Sequence, residues 1–312
     1  ALGHGQGHRG RREPAGRAPV RVHVAGLSSR THLLYAASYL RHLLDRTMGP
    51  VEVVASPSGG LAGAHQLTAK DVECAWPDDP QLTFISASAP MRPGTRTVLL
   101  SVGVPGIKPY LRVLSRERRR PWVVVCDEGI GSYGDRTTRR AALRREGASV
   151  LRASLVAAAR TIADRTLADQ RWCLYSQDKN APGTWMVNED VAAEFRRSIS
   201  RSRTPKRCAV YLTQPWIELG LITPTAYQKH LDAVAAACAS VGLAMQVRPH
   251  PAEDPHRHAA FTPLSGALPA ELDPRVVDAA VVLGGASTAL LNLSSVHGVP
   301  AIRVKLDETE AL

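Results

Sequence analysis

Ala279-Ala280-Val281-Val282-Leu283-Gly284-Gly285-Ala286-Ser287-Thr288-Ala289-Leu290-Leu291 decides how the chain is read. A short apolar run (279–283) gives way to a Gly-Gly turn. A Ser-Thr pair then opens a helical pattern that continues to Val296. That order predicts strand, tight turn and helix. The helix N-terminus then offers outward amides and two hydroxyls, the chemistry that cradles phosphate. The same pattern also describes an ordinary helix cap. No P-loop lysine follows, which argues against an ATPase.

Similar units lie upstream in the second half of the chain. Residues 209–213, 243–247 and 301–304 read as strands, and 225–240 as a helix. The first half repeats the alternation. Strands are expected at 20–25, 51–55, 97–102, 122–126 and 172–175. Helices are expected at 31–44, capped by Ser29 or Thr31, and near 110–118. A long helical region over 136–169 is expected to break near Gly147. Strands alternating with helices predict an α/β protein with parallel sheets covered on both faces.

Between the two series, residues 196–207 hold Arg196, Arg197, Arg201, Arg203, Lys206 and Arg207 without an acid, which marks a linker. With 312 residues, two domains are the natural division. We expect a basic tail over 1–18, one domain over 19–200 and another over 201–312. The tail, rich in Gly, Arg and His, lacks the apolar core of a secretory signal.

Composition narrows the partners. The net charge of +11 favours anionic ones, although it also fits simple solubility. Aromatic residues make up only 5%, too few for a protein that grips nucleic acid by stacking on bases. The five cysteines are Cys74, Cys126, Cys173, Cys208 and Cys238. None forms a C-x-x-C pair and the count is odd, which argues against a disulfide framework or zinc site and for a reduced, cytoplasmic setting. Cys126 and Cys208 read as small core residues. No run of 18 apolar residues is present. Basic clusters at 116–120, 136–145 and 196–207 point to an anionic polymer or an acidic inner-membrane surface, or are solvated faces.

Three further stretches carry chemistry. The strand Val123–Cys126 delivers Asp127-Glu128-Gly129-Ile130-Gly131-Ser132-Tyr133. Adjacent carboxylates repel, which makes one a more competent base. Alternatively they form a solvated acidic turn. The strand ending at Val247 delivers Arg248-Pro249-His250-Pro251. Flanking prolines stiffen the loop, so the imidazole is fixed at low entropy cost to meet a phosphate or to cap backbone. In an extended segment Arg248 and His250 point to the same side. Glu271, in Pro269-Ala270-Glu271, is placed to bridge ribose hydroxyls, although by itself it also reads as a solvated acid. Gln214, after the strand Ala209–Thr213, is expected to line a cleft. His256 and His258 read as surface residues.

Asp127-Glu128-Gly129, His250-Pro251 and Ser287-Thr288 stand in the order and spacing of the D/E-D/E-G, H-P and paired Ser/Thr motifs of bacterial sialyltransferases. The Glu-Gly-Ile-Gly-Ser-Tyr run and the Thr-Gln-Pro strand end resemble the α-2,8-polysialyltransferase-related group. The resemblance covers roughly residues 20–305. It implies a GT-B fold, two Rossmann-like domains with parallel sheets facing a central cleft. It also implies an inverting, metal-independent transfer of sialic acid from CMP-sialic acid to a glycan hydroxyl, with no cofactor. Asp127 would be the general base and Glu128 its support. His250 would bind the CMP phosphate and help it leave, beside Pro251 and Arg248. Ser287, Thr288 and Gly285 would hold phosphate oxygens, Glu271 the ribose, and Gln214 the cleft wall. Two alternatives stay open: a GT-B transferase using CMP-Kdo or a UDP-sugar, and a non-catalytic basic protein that binds acidic polysaccharide.

Overall fold

The computed structural model describes residues 13–14, 16–55, 67, 75–126, 136–145, 147–177, 181, 183–199, 206–254, 256–266, 268–285 and 287–306. The chain divides into two compact units, Ala1–Glu194 and Phe195–Leu312.

The first unit is built on β1 (Val20–Ala25), β2 (Val51–Ala55), β3 (Leu82–Phe84), β4 (Arg96–Val102), β5 (Trp122–Cys126) and β6 (Gln170–Trp172). Its sheet is parallel throughout, in the order β3-β2-β1-β4-β5-β6. That order reverses direction between β1 and β4, the switch point of a doubly wound sheet. Helix α1 (Arg30–Arg46) starts at Ser29, whose hydroxyl accepts from the His32 amide, and it buries Leu33, Leu34, Ala37, Leu40 and Leu43. Strand β1 alternates. Val20, Val22 and Val24 belong to the core, while Arg21 and His23 point the other way and are also buried. Arg21 is sustained there because Glu52 takes its Nε and Nη2, and the carbonyls of Ala89 and Pro90 take the rest.

Helix α2 (Ile107–Glu117) connects β4 to β5. The expected break in the long helical region is present: α3 (Arg136–Arg145) and α4 (Val150–Leu167) flank Gly147, whose φ of 86° lies in the left-handed region that favours glycine. A hairpin of β7 (Tyr175–Gln177) and β8 (Trp185–Val187) follows, antiparallel. Helix α5 (Glu189–Arg197) carries the chain from one unit to the other, so Arg196 and Arg197 stand on a helix rather than in a linker. The expected tail is also shorter than read. Gly16 donates to the Arg46 carbonyl at 3.1 Å and its own carbonyl accepts from Met48, which docks residues 16–18 beside the end of α1. Residues 1–12 and Cys74 lie outside the described residues.

The second unit holds β9 (Lys206–Leu212), α6 (Pro224–Ser240), β10 (Ala244–Arg248), β11 (Thr262–Pro263), a 3₁₀ turn (Ala270–Leu272), α7 (Pro274–Val277), β12 (Ala279–Gly284), α8 (Thr288–His297) and β13 (Ala301–Arg303). Its parallel sheet runs β11-β10-β9-β12-β13 and reverses between β9 and β12. Tyr211, Trp216, Tyr227, Leu231, Val247 and Leu283 form its core. Cys126, Cys208 and Cys238 are buried, and the first two are core residues as expected. Among the described residues, no helix is long and apolar enough to cross a membrane.

Candidate active site

The register of the second sheet brings its loops together. Leu212, the last residue of β9, pairs with Arg248, the last of β10, and with Gly284, the last of β12. Three strands therefore stop at one level, on either side of the switch point. The segments that leave them are Thr213–Trp216, Pro249–Glu253 and Gly285–Ser287. Open α/β sheets bind ligands at this edge.

Each segment carries an expected residue. Gln214 is half-buried, with its amide donating to the Thr213 carbonyl. Ser287 caps α8, and its hydroxyl accepts from the Ala289 amide at 3.3 Å. Thr288 opens the helix and is half-buried. Gly285 lies against the Trp216 indole, so closely that a Cβ would stand 2.5 Å from two ring carbons. Pro251 is exposed in the turn after His250.

His250 is fixed from both sides. Its backbone N–H reaches Thr213 Oγ1 at 2.9 Å and Glu253 Oε2 at 2.8 Å. Its ring Nδ1 accepts from the Ala252 amide at 3.1 Å. An acceptor Nδ1 puts the proton of the neutral ring on Nε2, the tautomer that donates to an oxyanion. Burial lowers the His250 pKa below its ordinary value, while the charges of Glu253 and Glu218 oppose the shift.

Arg248 does not stand beside His250 as a free cation. Its guanidinium is buried and donates to the carbonyls of Leu264 and Gly266 at 2.6 and 2.9 Å, to that of Leu268, and to Asp273 Oδ2 at 3.0 Å. The extended-segment argument fails because Arg248 is still in β10, whereas His250 already lies in the turn. The arginine holds the loop over 264–268. Glu271 is not a solvated acid either. It is buried on the 3₁₀ turn, where the Asn292 amide donates to Oε1 at 3.4 Å, and burial pushes its carboxyl pKa up.

His258 corrects another expectation. It has no solvent exposure, because the loop after β10 folds back through successive turns and inserts the ring beside Glu253 and Tyr227. It also walls a pocket of about 520 Å³ shared with Ile217, Tyr227 and Arg257. His256 is exposed, as expected. Sequence reasoning passed over Trp216 and Glu253 and took His258 for a surface residue. The available signal for Glu253 was an acid three residues after a Pro-flanked histidine.

In the first unit, β1, β4 and β5 also end at one edge, with Ala25 paired to Ser101 and Val102 to Cys126. Cys126 directly precedes Asp127 and Glu128, and residues 127–135 lie outside the described residues. At the same edge, Ser28 Oγ lies 3.1 Å from Nδ1 of His32, a contact that sequence reasoning missed. Burial lowers the His32 pKa to about 4, against the opposing hydrogen bond with Gly26. Among the described residues, no group of three or more His, Cys, Asp or Glu side chains is arranged to hold a metal ion.

A structure from Listeria monocytogenes described as a UDP-N-acetylglucosamine 2-epimerase aligns over 94% of this chain and 80% of its own, with a TM-score of 0.50 at 9% identity. The fold is GT-B-like. A second UDP-N-acetylglucosamine 2-epimerase gives a TM-score of 0.49 at 11% identity, covering 94% and 80%. The GT-B domain of a Photobacterium damselae sialyltransferase gives 0.37 at 10% identity, covering 88% of each chain. Of these three only the first reaches 0.50, and at such identity it speaks for the fold alone. No protein-family profile and no curated protein matches the chain. Two parallel sheets, each with its own switch point, are what the GT-B-like fold contributes to the site.

Proposed function

We propose that this GT-B-like chain is an inverting glycosyltransferase that moves sialic acid from CMP-sialic acid to a glycan hydroxyl without a metal cofactor. The observation that carries the reading is the common level of β9, β10 and β12, which sets His250 and the Ser287 helix start at one sheet edge. An imidazole Nε2–H and a helix N-terminus are two sources of positive potential for a leaving phosphate.

In this reading the glycosidic C–O bond to phosphate breaks, and its electron pair stays with CMP. His250 Nε2–H and the Ser287 and Thr288 hydroxyls stabilise the departing phosphate. Asp127, supported by Glu128, takes the acceptor hydroxyl proton as that oxygen bonds the opposite face of the anomeric carbon, so the configuration inverts. Glu271 meets the ribose. Exposed Arg140 and Arg144 on α3 support an anionic acceptor, with peripheral contact at an acidic inner-membrane surface as the related expectation.

The test mixes purified protein with CMP-sialic acid and an oligosaccharide acceptor and scores free CMP. Release by wild-type, lost in Asp127→Ala and His250→Ala, is the expected result. Melting with CMP and with UDP ranks the donors, since a ligand that binds the folded state raises the melting point. A rise with UDP alone moves the reading to a UDP-sugar enzyme. A rise with neither, but with an acidic polysaccharide, replaces it by a non-catalytic binder.

A further inference from the structure

Glu253 is a buried acid that the donor chemistry does not require. Its side chain and that of His258 are wholly buried, with Oε1 at 3.5 Å from His258 Nε2. Its other oxygen, Oε2, accepts from the His250 amide at 2.8 Å and from the Thr213 hydroxyl in a short bond. The Glu253 amide in turn donates to the His250 carbonyl at 2.9 Å, which closes a ring of main-chain and side-chain bonds around His250. Thr213 is tied to the sheet through its own amide, 3.1 Å from the Arg248 carbonyl. His250 is thus clamped to the ends of both β9 and β10.

We infer that Glu253 is a positioning residue for His250: Oε2 holds the His250 backbone so that Nε2 faces the leaving phosphate, and the carboxylate charge sets the electrostatics of the ring. This rests on the donor reading above. Satisfying two donors needs only a neutral carbonyl oxygen, and burying a carboxylate costs several kcal/mol unless it is compensated. An amide would serve as a cap. A carboxylate adds a fixed negative charge beside the imidazole, which opposes the loss of basicity caused by burial. The groups facing Glu253 are Tyr211 from β9, Thr213 just after it, Tyr227 from α6, and His250 and His258 from its own loop. Glu218 acts on His250 from the loop after β9.

The deciding measurement is the ring titration of His250 by ¹⁵N NMR in wild-type, Glu253→Gln and Glu253→Asp. Gln keeps an acceptor and removes the charge. Asp keeps the charge one methylene further back. His250 is expected to titrate at lower pH in Glu253→Gln than in wild-type, with Glu253→Asp between them. CMP release should show kcat falling tenfold or more, by order of magnitude, with KM for the donor nearly unchanged, the split expected of a group that acts in the transition state. Identical titration in wild-type and both variants overturns the proposal. If Glu253→Gln does not fold, Glu253→Asp against wild-type carries the same comparison. The titration uses no substrate. A wild-type protein that releases no CMP sinks the donor reading, whereas the titration of the three proteins still decides whether Glu253 acts on the His250 ring.

Discussion

The six-membered ring of Trp216 lies against the backbone at Gly285, leaving no room for a methyl group. Trp216 belongs to the loop after β9 and Gly285 to the turn after β12, so this contact closes the floor of the switch point. Trp216 is itself buried and packs edge-on to Tyr227 with ring centroids 5.6 Å apart, so the indole has little freedom to retreat. Gly285→Ala is expected to cost about 1–3 kcal/mol, the usual range for overpacking. Denaturant midpoints check it, and a Trp216→Leu second change should recover part of the loss.

Arg248 should prove structural. Arg248→Met removes the partner of three carbonyls and of Asp273. A loss of about 3 kcal/mol is expected, as for other broken buried pairs. Arg275 still reaches Asp273 at 2.7 Å, which tempers the cost. Burial alone would raise the Asp273 pKa, but its bonds to Arg275 and the charge of Arg248 outweigh burial and lower it. A depressed carboxyl pKa contributes stability that is present above its unfolded value and lost as pH falls through the folded one. Acid unfolding should therefore begin at higher pH in Arg248→Met. Equal acid midpoints would contradict this account.

His32 gives a second pH dependence. Its folded pKa of about 4 lies below the ordinary 6.5 because burial disfavours the cation. The unfolded chain therefore binds the extra proton first, and stability falls as pH drops from 6.5 towards 4. The loss attributable to this group is at most about 3 kcal/mol, reduced by the ring's partial exposure. In His32→Asn the slope over that window should flatten when stability is measured at pH 7, 5.5 and 4.5.

Ser287 and Thr288 separate capping from ligand binding. Ser287→Ala deletes the α8 cap and should cost about 1 kcal/mol of stability besides weakening CMP binding. Thr288→Val removes a hydroxyl that does not cap the helix, so it should weaken CMP binding with little change in melting. Unchanged CMP affinity in both variants would remove the pair from the phosphate site.

Much of the fold was legible locally. Valine-rich runs at 20–25, 51–55 and 122–126 became strands at those residues, because alternating or continuous apolar runs have few other stable outcomes. Short edge pieces such as β3, β11 and the β7–β8 hairpin were not legible. Two or three residues carry no period, and only a neighbouring strand makes them extended.

The sequence by itself determined the order of the longer strands and helices and the placement of His250, Ser287 and Gln214 just beyond strand ends. Those follow from side-chain period, proline stiffness and helix capping, which act over a few residues. Tertiary structure alone decided which strands stand side by side, and therefore that Leu212, Arg248 and Gly284 share one level. It also turned Arg248 into its loop and drew Glu253 and His258 into the interior. A charged side chain goes where its partners are, and those of Arg248 and Glu253 come from segments up to 40 residues away in sequence, beyond the reach of any local pattern.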